Sequence, residues 1–311
     1  VSGDWHVPLA CATALLVTCL VLSGIRRSNI VNTVIVSLTL LTLFSFMGFG
    51  ASDAIGRSAE NFSPFVESGE EPSWYALCLA TALMFVAYTG YGRIATLGEE
   101  VKEPRKTIPK AIVLTLLVSA LLYIGVSAVA VGVLGAGPFA QATEGVAAPL
   151  EVAAGAMSAS WVRRLVAVGA MTAMLGVLLN LVLGLSRVLL AMGRRRDMPS
   201  AAAKLSQTGN PNVAVVIVGL IIAGLALFGS VKTTWSFSAF TVLVYYAITN
   251  LAALRLKAEQ RLYPRPFSWA GLIACLGLAF FIDLPVLGAG VLLILLGIGW
   301  HHLAKRQSTV G

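Results

Sequence analysis

The stretch FVAYTGYGRIATLGEEVKEPRKTIPKAI, Phe85 to Ile112, decides how this chain is read. It begins as an apolar run, loosens at Thr89-Gly90-Tyr91-Gly92 and passes into a charged loop that ends at Pro109. A uniform membrane helix has no use for two glycines at that point. A helix that unwinds in mid-membrane and offers its backbone to a ligand does. The same local pattern also fits a plainer role, in which Gly90 and Gly92 only let helices pack closely.

Outward from that stretch, composition fixes the solvent. Apolar residues are 58% and charged residues 12% of the 311 positions, and mean hydropathy is +0.86. A water-soluble domain carries about twice that share of charge, so a soluble fold is excluded. A spanning helix needs about 20 mostly apolar residues. Nine segments qualify, near 7–24, 30–50, 74–92, 110–134, 164–192, 213–229, 235–254, 267–283 and 285–303. The last two form one apolar stretch, divided at Asp283-Leu284-Pro285 because a proline beside a charge marks a turn.

Basic residues give the orientation, since cytoplasmic loops are rich in Lys and Arg. Of 22 basic residues, 18 fall on one set of alternate loops. These are Arg26 and Arg27; Arg93, Lys102, Arg105, Lys106 and Lys110; Arg187, Arg194 to Arg196 and Lys204; Arg255, Lys257, Arg261 and Arg265; and Lys305 with Arg306. The other side holds Arg57, Arg163, Arg164 and Lys232, with most of the acidic residues: Asp53, Glu60, Glu67, Glu70, Glu71, Glu144 and Glu151. The pattern predicts a cytoplasmic C-terminus and an outside N-terminus. The chain opens on Val1 without a signal-peptide pattern. It therefore reads as the C-terminal part of a longer protein with earlier spans. The net charge of +8 belongs to the cytoplasmic loops and faces anionic lipid, not nucleic acid.

Chemistry-bearing groups are sparse. Cys11, Cys19, Cys78 and Cys275 all fall within spans, without paired spacing, and read as packing residues. His6, His301 and His302 sit at membrane edges. No Ser-His pair and no metal-ligand spacing is visible, which argues against an enzyme and implies no metal or cofactor. Charged rings and a filter loop are lacking too, which argues against an ion channel. Thr39, Thr42, Thr172, Asn180, Thr249 and Asn250 are the polar residues at depth, and each is expected to bond a neighbouring helix backbone. Residues 51–73 read as an acidic outer loop with a formal glycosylation sequon at Asn61-Phe62-Ser63. Residues 135–163 read either as a short outer helix capping a cavity or as a plain connection.

Three blocks carry a resemblance. YTGYGRIATLGEEVKEPRKTIPKAI resembles the sixth transmembrane segment and following loop of the amino acid–polyamine–organocation permeases, with Glu103 where asparagine is usual. Leu179 to Arg194, followed by Asp197-Met198-Pro199, resembles their eighth segment. FSAFTVLVYYAITNLAALRL, with the exit Gln260-Arg261-Leu262-Tyr263-Pro264, resembles their tenth. The blocks stand in family order over essentially the whole chain.

The resemblance implies an all-α membrane protein, 1–311 forming a single transmembrane transporter domain. The nine spans then correspond to segments four to twelve of a twelve-helix fold of two inverted five-helix repeats, the first three helices being absent. It implies a secondary-active transporter of an amino acid or related amine, working by alternating access in the plasma membrane. Unwound backbone serves such a zwitterion by offering donors to its carboxylate and acceptors to its ammonium. Phe85, Ala87, Tyr88, Thr89, Gly90, Tyr91 and Gly92 are the implied substrate-binding residues. Carbonyls near Phe85, Ala87 and Tyr88 face the ammonium, and the ring of Phe85 or Tyr88 acts as a cover. Apart from the resemblance, Glu99 and Glu100 are expected to pair with basic residues of the same face, such as Lys102, Arg105, Arg187 or Arg194, and to help close a cytoplasmic gate; the alternative is a solvated charge run.

Gly92 stands where many relatives carry an acidic residue, which speaks against a cationic substrate that depends on that acid. Thr39 stands where some proton-coupled relatives carry a lysine, so that residue's role is not carried over and the coupling ion, proton or sodium, stays open. A polyamine or organic amine is the alternative cargo. A transporter-like scaffold or sensor without transport is the alternative of another class.

Overall fold

The computed structural model describes residues 6–63, 73–90, 101–144, 148–207, 209–227 and 231–308. Among these, all regular structure is helical, as expected where no water is at hand to satisfy backbone N–H and C=O groups. Each of the nine apolar segments overlaps a described helix: α1 (His6–Leu22), α2 (Ile25–Gly56), α4 (Ser73–Met84), α5 (Pro104–Leu134), α8 (Trp161–Arg194), α9 (Asn212–Leu225), α10 (Val231–Leu254), α11 (Arg265–Ala279) and α12 (Leu284–Ser308). Three short helices complete the order: α3 (Ser58–Asn61), α6 (Ala136–Gln141) and α7 (Pro149–Gly155).

By length and composition five helices are able to cross a membrane: Ile30–Gly56, Pro104–Leu134, Trp161–Arg194, Thr234–Leu254 and Leu284–His301. The helices Val7–Leu22, Ser73–Tyr88, Asn212–Leu225 and Arg265–Ala279 are apolar but shorter. Their outer surfaces suit lipid. Leu114, Leu121 and Ile124 on α5 are each more than 60% exposed, a stripe that water would not tolerate.

Helix ends depart from expectation in three places. α2 runs through Gly56, and α3 follows at once, so the first part of the expected outer loop is helical. α5 begins at Pro104, six residues before the expected span, with proline at its first position. There the missing N–H costs nothing. Pro109 then lies inside the helix. α4 stops short, as described below.

The described chain divides into two compact units. The first comprises residues 1–66 and 114–228, the second 67–113 and 229–311. In the first, α8 is central and packs against α1, α2, α7 and α9. In the second, α10 packs against α4, α11 and α12. Each has its own core. One lies around Phe46, Ala130, Val133, Ala153, Val162 and Val166, with a satellite of Val21, Leu179, Val182 and Val215. The other lies around Ala82, Ala239, Phe240, Leu243 and Tyr246.

Candidate functional site

The Phe85 stretch changes its bonding pattern where the sequence loosens. α4 ends at Met84, and Phe85–Tyr88 form a 3-10 turn. Such tightening often marks a helix end or a functional joint. Thr89 leaves the turn in extended conformation, φ −84° and ψ 164°. Gly90 follows with φ +112°, which L side chains rarely adopt. An added Cβ at Gly90 meets nothing within 4 Å, so its glycine serves the backbone and not close packing. Thr89 donates both its N–H (3.1 Å) and its hydroxyl (2.7 Å) to the carbonyl of Val86. Phe85, Ala87, Tyr88, Thr89 and Gly90 are half-buried and contiguous. Tyr91, Gly92, Glu99 and Glu100 lie outside the described residues. Arg187 is half-buried on α8.

Sequence reasoning missed two partners of this turn, both on α10. The indole N–H of Trp235 donates to the carbonyl of Leu83 at 3.0 Å. The ring of Tyr246, 8% exposed, stands edge-on to Phe85 at 5.6 Å. The third block of resemblance contains Tyr246, so its type and place were in view, but its contact with Phe85 was not.

A second arrangement lies between α2 and α8 in the first unit. The Asn180 amide donates to the Asn32 side-chain oxygen at 2.6 Å and to the carbonyl of Gly176 at 2.9 Å. The other polar residues at depth behave differently from expectation. The hydroxyls of Thr39, Thr42, Thr172 and Thr249 and the amide of Asn250 donate to carbonyls one turn back on their own helices, not to a neighbouring helix. A donor three or four residues from its acceptor needs no partner helix. Thr39, Thr42 and Gly169 also line a cavity of about 280 Å³ with Phe46, Leu150 and Val166. With those hydroxyls turned back to the backbone, it is an apolar space. Ala148, Pro149 and Leu150, at the start of α7, are among its lining residues, and the described parts of 135–163 include the short helices α6 and α7.

Polar contacts hold the loop ends of the first unit. Asp53 accepts from the N–H (2.8 Å) and hydroxyl (2.7 Å) of Ser158. Asn61 and Arg57 cap the last carbonyls of α5, at Gly132 (2.7 Å) and Val133 (3.1 Å). The Asn61 amide is thus engaged in a helix cap. Arg163 pairs with Glu151 at 3.2 Å. No cluster of His, Cys, Asp and Glu among the described residues has the geometry of a metal site.

The family model described as "Amino acid permease" matches residues 3–295. An uncharacterized transporter of Mycobacterium tuberculosis is 36% identical over 303 residues, which cover 96% of this chain and 66% of the relative. The branched-chain amino acid permease of Bacillus subtilis is 29% identical, covering 93% of this chain and 58% of that protein. The methylthioribose transporter of the same organism is 28% identical over 81% of this chain and 52% of its own length. The chain spans about two thirds, or less, of the length of these relatives.

Proposed function

The chain belongs to the amino acid permease family and is a multi-pass membrane protein, a permease and not an enzyme; from that premise we propose that it carries an amino acid or related amine across the plasma membrane by alternating access. The observation that carries the reading is the helix end at Phe85–Gly90, where α bonding gives way to a 3-10 turn and then to positive φ. Irregular backbone at membrane depth is tolerated where it lines protein or water, and it offers a zwitterion polar groups without burying a charge.

In this reading the carbonyls of Phe85, Ala87 and Tyr88 face the substrate ammonium, and Thr89, Gly90, Tyr91 and Gly92 belong to the same substrate-binding stretch. The hydroxyl of Thr89 spends its proton on Val86, so it serves as an acceptor. The ring of Phe85, which stands edge-on to Tyr246, or the ring of Tyr88 covers the substrate. Glu99, Glu100 and Arg187 form the cytoplasmic gate. The nine apolar helices are the crossings, in one transporter domain with inverted repeats, and the C-terminus is cytoplasmic because the basic excess lies on that side. Relatives that are named for branched-chain amino acids and for cationic amino acids define the cargo panel.

The test is uptake by proteoliposomes of labelled leucine, lysine, alanine and putrescine. Saturable uptake of one amino acid, competed by its unlabelled form, is the expected result. Flat uptake across the panel, with binding absent as well, removes the proposal. Impermeant thiol labelling of Lys106→Cys and Arg195→Cys in intact cells checks the orientation, and strong labelling at either inverts it.

A further inference from the structure

The broken helix is gripped from outside by one face of α10. An α-helix leaves its last carbonyls without intrahelical donors, and a shift from four-residue to three-residue bonding makes the junction harder to satisfy. Leu83 belongs to the last α turn, and its carbonyl takes the indole N–H of Trp235. Ala239, Leu243 and Tyr246 follow Trp235 at helical spacing and so share its face. Ala239 and Leu243 are fully buried and Tyr246 nearly so, all in one cluster with Ala82 of α4. Phe85, the first residue of the 3-10 turn, packs on Tyr246. Leu83 and Phe85 are two residues apart on either side of the junction. Their partners on α10 lie 11 residues apart, about 16 Å along a helix. The junction is therefore held at two separated levels of the same face.

We propose that Trp235 is a positioning residue, and that it and Tyr246 make α10 the element that fixes where the α4 helix breaks. The indole bond holds the Leu83 carbonyl out of the next helical turn, and the Tyr246 ring fixes the direction in which Phe85 leaves. A shift of α10 against α4 then re-registers the 3-10 turn and moves the carbonyls of Phe85, Ala87 and Tyr88 together. This last step rests on the reading of Phe85–Gly90 as the substrate site; the positioning of the break does not.

The experiment is hydrogen–deuterium exchange on the whole chain in lipid nanodiscs, wild type against Trp235→Phe and Trp235→His. Phenylalanine keeps a ring but loses the donor, and histidine keeps a ring N–H. Exchange across residues 84–90 is expected to rise about fivefold in Trp235→Phe, the factor that one net hydrogen bond sets. It is expected to fall back in Trp235→His, with residues 169–186 of α8 unchanged in both. Equal exchange at 84–90 in wild type and Trp235→Phe overturns the inference. So does a rise spread evenly over α4, α10 and α8, which marks a packing role alone. Binding of labelled leucine to the same samples separates the two readings. Faster exchange with leucine affinity unchanged keeps Trp235 as the positioning residue and overturns Phe85–Gly90 as the substrate site.

Discussion

The side-chain amide of Asn180 on α8 donates to the side-chain oxygen of Asn32 on α2 at 2.6 Å, and this pair sets the register of a long antiparallel seam. From there the partners step in opposite directions along the two helices. Ile35 faces Gly176 and Thr42 faces Gly169, each glycine so close that a Cβ would come within about 2.6 Å of its partner. The rings of Phe49 and Trp161 meet edge-on at 4.9 Å, and Asp53 closes the series on Ser158. Asn32 to Asp53 is 21 residues, about 32 Å of helix, close to the thickness of a bilayer core. Hydrogen-bonded side chains stand at both ends of the seam, and small residues lie between them.

The asparagine pair is measurable by itself. Asn32→Ala and Asn180→Ala are each expected to lower stability. A double-mutant cycle is expected to give a coupling of about 0.6–1.7 kcal/mol, the range of interhelical polar pairs in membranes. Unfolding in graded detergent gives the four values. Strictly additive losses mean that the two amides act apart.

Two glycines separate close approach from mere helix propensity. An added Cβ at Gly169 lies within 2.7 Å of three branched atoms of Thr42, whereas at Gly48, on α2 itself, it meets nothing within 4 Å. Gly48→Ala is expected to stabilise by up to about 1 kcal/mol through helix propensity. Gly169→Ala is expected to destabilise by about 1–3 kcal/mol through overpacking. Thermal midpoints of the two variants, moving in opposite directions, are the check; a shared sign removes the seam argument.

Two loop residues sit in a backbone region they do not favour. Glu103 precedes α5 with φ +48°, and its carbonyl accepts from Lys106 and Thr107 at 3.0 Å each, so it occupies the cap of that helix. Asparagine, usual at this position in the resembling permeases, tolerates such φ and caps well. Arg196 ends α8 at φ +63°, with Asp197 N–H returning to the Met192 carbonyl at 3.0 Å. That bond closes a helix end which normally takes glycine. The exposed Lys106–Glu103 ion pair, 3.3 Å, offsets little of the cost. Glu103→Asn and Arg196→Gly are each expected to raise stability by about 0.5–1 kcal/mol. Calorimetry of the pair tests this, and a drop for both means that the left-handed turns are not retained in solution.

Helix positions were readable because an apolar run of twenty residues has few other uses, and Gly90 marked the neighbourhood in which the α bonding of α4 ends. What sequence could not supply is set by distant partners. α2 continues through Asp53 to Gly56, and Asp53 bonds a residue 105 positions away. The carbonyl of Leu83 meets Trp235, 152 positions away. Thr39 and Thr42 show the reverse error. Their depth suggested a neighbouring helix as acceptor, but a carbonyl one turn back is always in reach. Asn180, whose amide reaches both ways, bridges two helices where these threonines do not.

Gly90 gives the sharpest test of the proposed site. Its φ of +112° and its open surroundings mean that a side chain there is opposed by the backbone alone. Holding an L-residue in such a region costs about 1–3 kcal/mol, and the penalty grows from asparagine, which tolerates positive φ, through alanine to β-branched valine. The break sits at a chain exit and not inside a packed helix, so the segment relaxes and global stability stays nearly constant. The backbone geometry presented to the substrate does not. Affinity for a bound amino acid is therefore expected to fall in the order Gly90, Asn, Ala, Val, with thermal midpoints within about 2 °C of wild type, the shift that less than 1 kcal/mol produces in a chain of this size. Scintillation proximity binding on the four purified proteins gives the order. Equal affinity for Gly90 and Gly90→Val would show that positive φ at this position is not needed for recognition, and the substrate site would then have to be sought away from the broken helix.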